Sequence, residues 1–295
     1  MIRSIILSAF LIINCFLSAA ERGSSAPYIS GDTFRDYADF VYDEISKKIN
    51  PSKVKYGNTI FVKTDYIEEF FSKIHPKISK PYILITHNSD YHVPGNCAGF
   101  LDDKMLIAWF GQNVENCNHT KMHPIPIGLA NKCWDHGNVK IFETMQSITV
   151  PRDILLYMNF TVGTFYEERA KVAELFKGND YCYVSQPKEL SAYLADLAQS
   201  KFVLSPRGNG LDCHRTWEAL LMGAIPIVRT SSLDPMYKNL PVVIVNGWEE
   251  IDADFLQKKY EEFQSQKFDL DKMYIDYWLT FIDSYKTKRN KHAIR

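Results

Sequence analysis

The stretch "SPRGNGLDCHRTWEALLMGAIPIV", residues 205–228, decides the fold. It continues an apolar run, "KFVL" at 201–204, turns through Gly208 and Gly210, enters an amphipathic segment at His214, and returns to an apolar run at 224–228. Strand, turn, helix and strand in that order make one crossover of a parallel α/β sheet. The two glycines let the backbone turn sharply and come close to a ligand. The helix that follows offers free amides and a positive dipole end to an anion. Arg207 and Arg215 add charge in a form suited to bidentate contact with phosphate oxygens. Asp212 would repel an anion at that mouth, so it is expected to cap the helix. His214, Arg215 and Glu218 share one helical face, while Cys213, Trp217, Leu220 and Leu221 take the other. A diphosphate at the helix start would leave Glu218, one turn deeper, to accept hydrogen bonds from ribose hydroxyls. The competing reading is an exposed Arg215–Glu218 ion pair, worth about 0.3 kcal/mol.

Working outward, the second half of the chain repeats the alternation. Strands are expected at 153–160, 180–184, 201–206, 224–228 and 241–245, and helices at 164–177, 187–199, 212–222, 248–264 and 270–286. This is a doubly wound pattern, in which ligands lie beyond the carboxyl ends of the strands. In the first half, Phe34, Tyr37, Ala38, Val41 and Ile45 recur at helical spacing. "NTIFVKT" (58–64) and "KPYILITHNSD" (80–90) read as strands, Ile67–Ile74 and "LDDKMLIAWFGQN" (101–113) as helices, and "MHPIPIGLAN" (122–131) as an extended segment. The expected organisation is a signal or anchor at 1–20, a stem and N-terminal helix at 21–50, a smaller α/β domain at 51–138, a connecting segment at 139–150 and a nucleotide-binding α/β domain with C-terminal helices at 151–295.

Composition is that of a globular chain: 295 residues, 46% hydrophobic and 23% charged, with 34 Lys+Arg against 35 Asp+Glu. A formal net charge of −1 excludes general attraction to nucleic acid or anionic membrane, so any anion site is local. Arg3 precedes an uncharged run from Ser4 to Ala20 that ends in small residues, which reads as a cleaved secretory signal or a retained single-pass type II anchor. Either form directs the body to the lumen of the ER or Golgi, or to secretion. In that oxidising compartment a bridge is expected between two of Cys97, Cys117 and Cys133. Two N-x-[ST] sequons occur, at Asn118 and Asn159, and Asn118 is the better glycosylation candidate because Asn159 ends an apolar strand.

Residues 201–228 resemble the nucleotide-sugar-binding half of exostosin-like glycosyltransferases, which have the GT-B fold of two Rossmann-like domains. The shared elements are Pro206-Arg207-Gly208, Arg215 with Glu218-Ala219-Leu220, Gly223, and Ile225-Pro226-Ile227-Val228. The close match covers residues 201–245. The resemblance implies a nucleotide-sugar donor, UDP- or GDP-linked, and a glycan or glycoprotein acceptor. It places Arg215 on the diphosphate and Glu218 on the nucleoside sugar, with Arg207, Gly208 and His214 lining the pocket. Arg169, after the first strand of the same domain, is expected to face the same crevice. The first half is shorter than is usual in that family, which leaves the acceptor open.

Such an enzyme stabilises a leaving diphosphate with helix dipole and arginine, so no metal is expected. The two D-x-D pairs, Asp252 with Asp254 and Asp269 with Asp271, read as charges at helix starts. A base is needed to deprotonate the acceptor hydroxyl, and His87 and Asp90, in "THNSD", are the first candidates, ahead of His123 and His136. A fucosyltransferase-like enzyme using a GDP-sugar and a non-catalytic glycan-binding protein are the alternatives. A sulfotransferase would need a lysine-bearing phosphate loop after its first strand, and none is present.

Overall fold

The computed structural model describes residues 22–286, so the signal or anchor expected at 1–20 lies outside the described residues. Ten strands form two five-stranded sheets, every pairing parallel. The first contains β1 (Phe40–Tyr42), β2 (Thr59–Lys63), β3 (Tyr82–His87), β4 (Leu106–Gly111) and β5 (Met122–Pro124), which lie side by side in chain order. The second contains β6 (Ile154–Met158), β7 (Cys182–Val184), β8 (Ser200–Leu204), β9 (Ile225–Arg229) and β10 (Val243–Val245), in the spatial order β10-β9-β8-β6-β7. The winding reverses between β6 and β8, the kind of point at which an open α/β sheet leaves a crevice for a ligand. Two parallel-sheet α/β units are the architecture that the alternating pattern and the GT-B-like expectation require.

Central strands are buried on both faces, which is why all six residues of β3 are inaccessible and the run reads as continuous hydrophobicity. The same physics corrects the segment 101–113. It is not a helix: a 3-10 turn, Gly95–Asp102, leads into β4, whose Leu106, Ala108, Trp109 and Phe110 are buried between β3 and β5. The N-terminal periodicity is also cut short. The helix ends at Tyr37 and the chain enters β1, whose Phe40–Tyr42 pair with β2, so the segment expected as stem and helix supplies the edge strand of the first sheet. Residues 139–146 of the connecting segment form a helix, Val139–Gln146.

In the second half every expected strand and helix is present within a few residues. The last helix of the described residues, Ile275–Asp283, does not stay with the second sheet. Phe281 packs edge-on to Phe110 of β4 and to His123 of β5, and the Tyr37 hydroxyl donates to Asp283 at 2.5 Å. Among the described residues no helix is long and apolar enough to cross a membrane. No disulfide joins the described cysteines, so the bridge expected among Cys97, Cys117 and Cys133 is not formed.

Candidate functional site

The carboxyl ends of both sheets open on two adjoining cavities. One, of about 620 Å3, lies on the first-sheet side and is lined by His87, Asn88 and Gln112. The other, of about 900 Å3, lies at the reversal point of the second sheet and is lined by Asn159, Arg169, Tyr193, Gly208, Arg215 and Glu218. Asp90, Ile127, Trp134, Asn209 and His214 line both, so they form the seam between the cavities.

The helix His214–Leu221 presents the second cavity with its charged face and packs Trp217, Ala219, Leu220 and Leu221 into the core. The Arg215–Glu218 ion pair that the spacing allows is not made. Arg215 donates through Nε to the carbonyl of Asn159 at 2.9 Å and lies over the Phe160 ring, and its Nη1 is buried without a hydrogen-bond partner. Glu218, 6% exposed, accepts the Tyr193 hydroxyl at 2.9 Å. Burial, and then the Glu218 carboxylate, push the Tyr193 hydroxyl well above its ordinary pKa, so it stays a donor.

Arg169 enters the same cavity but its guanidinium is spent on the chain. It donates to the carbonyls of Arg207 at 2.8 Å, Thr161 at 2.9 Å and Pro206 at 3.4 Å. It therefore shapes the turn that carries Gly208 and has little left for a ligand. Burial, and then the neighbouring Arg215, hold its pKa below the usual arginine value. Two adjacent cations with one unpaired buried nitrogen and no carboxylate bonded to either make a site that favours an anion.

Three expectations are corrected by side-chain direction. Arg207 points out of this site: it stacks on Phe165 and lines a separate cavity of about 560 Å3 with Arg229 and Trp248. Asp212 is not the helix cap, a position taken by Cys213. Its buried carboxylate instead accepts four donors: Ile127 N–H at 2.8 Å, Trp217 Nε1–H at 2.8 Å, Cys213 N–H at 2.9 Å and the Tyr237 hydroxyl at 3.0 Å. His87 is 2% exposed, and both ring nitrogens are engaged, Nδ1 accepting from Asn88 N–H at 2.7 Å and Nε2 donating to the Pro126 carbonyl at 3.0 Å. Burial lowers its pKa to about 4, so it is neutral, yet it has no lone pair to offer and is withdrawn as the base.

Asp90 stands at the seam, one carboxylate oxygen receiving the Asn209 amide at 3.1 Å. His214 stands there too, with Nδ1 2.7 Å from the Gly128 carbonyl. Its place is on the boundary, not deep in the second cavity. Gly128 takes a φ of +66°, and a Cβ there would meet the Ile29 carbonyl oxygen at 2.3 Å. His123 packs between Phe110 and Phe281, away from the crevice, whereas exposed His136 lines the second cavity. Asp252 caps the helix Ala253–Gln264 by accepting from Phe255 N–H at 2.7 Å, as its place at a helix start suggests. Asn118 is exposed in the loop between β4 and β5, while the Asn159 amide is held by the Tyr157 hydroxyl and the Gln186 carbonyl. Tyr193 and Gln112 carry no sequence signal, and the only one at Asn159 is its sequon. They reach the site only through the register of helix and strand.

Residues 157–292 match the family model described as the RXYLT1 C-terminal domain. The chain is 28% identical over 193 residues to human (Homo sapiens) ribitol-5-phosphate xylosyltransferase 1, an alignment covering 55% of this chain and 42% of that protein. The chain thus matches less than half the length of that curated relative. Among solved structures, UDP-GlcNAc 2-epimerase from Methanocaldococcus jannaschii aligns at TM-score 0.36 and 11% identity, over 77% of each chain. A glycosyltransferase from Rickettsia africae ESF-5 aligns at TM-score 0.35 and 11% identity, over 77% of this chain and 70% of that one. The sequence comparisons relate this chain to a glycosyltransferase, and the matched region contains Arg169, His214, Arg215 and Glu218.

Proposed function

We propose that the protein is a glycosyltransferase of the secretory pathway that moves a sugar from a nucleotide-sugar donor to a glycan or glycoprotein acceptor. The observation that carries this reading is the buried, unpartnered Nη1 of Arg215 beside Arg169, in a cavity that also contains the Glu218 carboxylate. The diphosphate takes the Arg215 side, and Glu218 takes the hydroxyls of the nucleoside sugar. Arg215 and the helix start stabilise the leaving diphosphate, so the chemistry needs no divalent ion. The exostosin-like resemblance of residues 201–245 agrees with this assignment. The xylosyltransferase relative makes xylose the first donor sugar to test.

The test is a thermal-shift panel of UDP- and GDP-sugars, because a ligand that binds only the folded state raises Tm. Stabilisation by a UDP-sugar supports the reading, preference for GDP-fucose moves it to a fucosyltransferase-like enzyme, and no shift with any of the panel overturns it. Binding without transfer to any acceptor leaves a glycan-binding protein that keeps the fold.

A further inference from the structure

We propose that His214, and not the buried His87, is the general base of the transfer, taking a proton from an acceptor hydroxyl presented from the first cavity. This rests on the glycosyltransferase reading above. The Gly128 carbonyl only accepts, so a neutral His214 holds its proton on Nδ1 and keeps the lone pair on Nε2. That tautomer is the one a base requires, and a backbone carbonyl, which cannot titrate, holds it in place. The side chain lines both cavities, where an acceptor on one side must meet a donor on the other.

The first cavity has an independent mark of its occupant. Gln112 is 2% exposed, and its Oε1 is buried without a hydrogen-bond partner. A buried acceptor lacking a donor is costly, and a ligand hydroxyl supplies the missing hydrogen bond. Trp134, 55% exposed at the seam, offers a flat apolar surface to the C–H face of a sugar or alditol. A ligand rich in hydroxyls satisfies both groups.

In the step, the acceptor oxygen attacks the anomeric carbon and forms the new C–O bond. The bond from that carbon to the diphosphate breaks with its electron pair going to the phosphate oxygen, where Arg215 receives the charge. The hydroxyl proton passes to Nε2 of His214, and the imidazolium returns it to water after product leaves. The ionisable groups that share the helix or the cavities of His214 include His87 and Asp90 from the end of β3 and its loop, Asp212, Cys213, Arg215 and Glu218 from its own segment, and His136 from the second cavity.

His214→Asn tests the proposal, since a carboxamide can still donate to the Gly128 carbonyl but has no basic nitrogen. The expected result is unchanged Tm and nucleotide-diphosphate Kd, with kcat lowered about 100-fold or more. The wild-type rate should fall about tenfold per pH unit on the acidic side, and that limb should vanish in the variant. A variant that keeps wild-type kcat, keeps the acidic limb, or loses nucleotide binding overturns the role. Gln112→Leu should raise the acceptor KM and leave donor Kd unchanged, and an unchanged acceptor KM overturns the placement of the acceptor. A wild-type chain that binds the nucleotide but transfers no sugar overturns this inference together with the enzyme reading. An active wild type with an equally active His214→Asn overturns this inference alone.

Discussion

The carboxylate of Asp212 accepts the backbone N–H of Ile127 at 2.8 Å, joining the loop after β8 to the chain that leaves β5. One buried acid thus holds the two sides of the crevice in register. Each of its oxygens takes two donors, so an amide at this position would leave two of the four without an acceptor. Asp212→Asn should therefore lower stability by about 2 to 4 kcal/mol, read as a fall in the denaturation midpoint at neutral pH. Burial lifts the Asp212 pKa above the ordinary carboxylate value despite those hydrogen bonds. The stability this group contributes is full below the unfolded pKa and is lost as pH rises through the higher folded one. The variant should lose that slope, and an unchanged pH profile of stability would count against the assignment.

Arg169 acts through the turn it holds. Arg169→Lys offers one point charge where a fork now serves three carbonyls, so the Gly208 turn should loosen. Nucleotide-diphosphate affinity should fall by about tenfold, or 1.4 kcal/mol, although the side chain has no nitrogen reserved for the ligand. Calorimetric titration checks this, and full affinity in the variant would show the turn to be self-supporting.

Arg215 and Glu218 should separate in their salt response. Arg215→Met should cost nucleotide binding about 2 kcal/mol or more and flatten its dependence on ionic strength. Glu218→Gln, which keeps an oxygen acceptor, should cost less and leave the salt dependence intact. Titrations at two salt concentrations with a UDP- or GDP-sugar decide between this pattern and its reverse.

Gly210 is fixed by proximity. A Cβ there would meet the Asn113 amide nitrogen at 2.4 Å, and Asn113 is fully buried. That same side chain accepts the Asp212 N–H at 3.0 Å and donates to the carbonyls of Ser89 and Asp90. Gly210→Ala should thus disturb both cavities, raising the apparent KM for donor and acceptor together. A change confined to one substrate would contradict the linkage.

In a secretory host, Asn118→Gln should remove one glycan and Asn159→Gln should remove none. Asn118 is exposed, whereas the Asn159 amide already has two acceptors beside the second cavity. Loss of mass on glycosidase treatment of each variant gives the answer.

The second sheet was readable because each of its strands is a short apolar run between turn residues, and the alternation with helices leaves few topologies. The segment 101–113 was misread for a definable reason. Leu106–Phe110 are apolar without a gap, and Asp102 and Asp103 precede them in the manner of a helix start, so periodicity alone could not tell a doubly buried strand from a buried helix. In the site, composition and spacing indicated which residues face one way on the helix from His214, and Arg215 and Glu218 do share one cavity. What spacing could not carry is partner choice across long separations. The hydrogen bonds that occupy the His87 ring and hold the Asp212 carboxylate away from the helix end involve Pro126 and Ile127, and only the assembled crevice brings those segments near.

The helix Ile275–Asp283 follows the second sheet in the chain but lies against β4, β5 and Tyr37 of the first. Modular exchange is therefore constrained. A chimera that takes everything from β6 onward from a related protein would import a foreign cover for Phe110 and His123. The workable junctions are two, one ahead of β6 and one ahead of Ile275, so that the helix Ile275–Asp283 travels with the first sheet to which it is fitted.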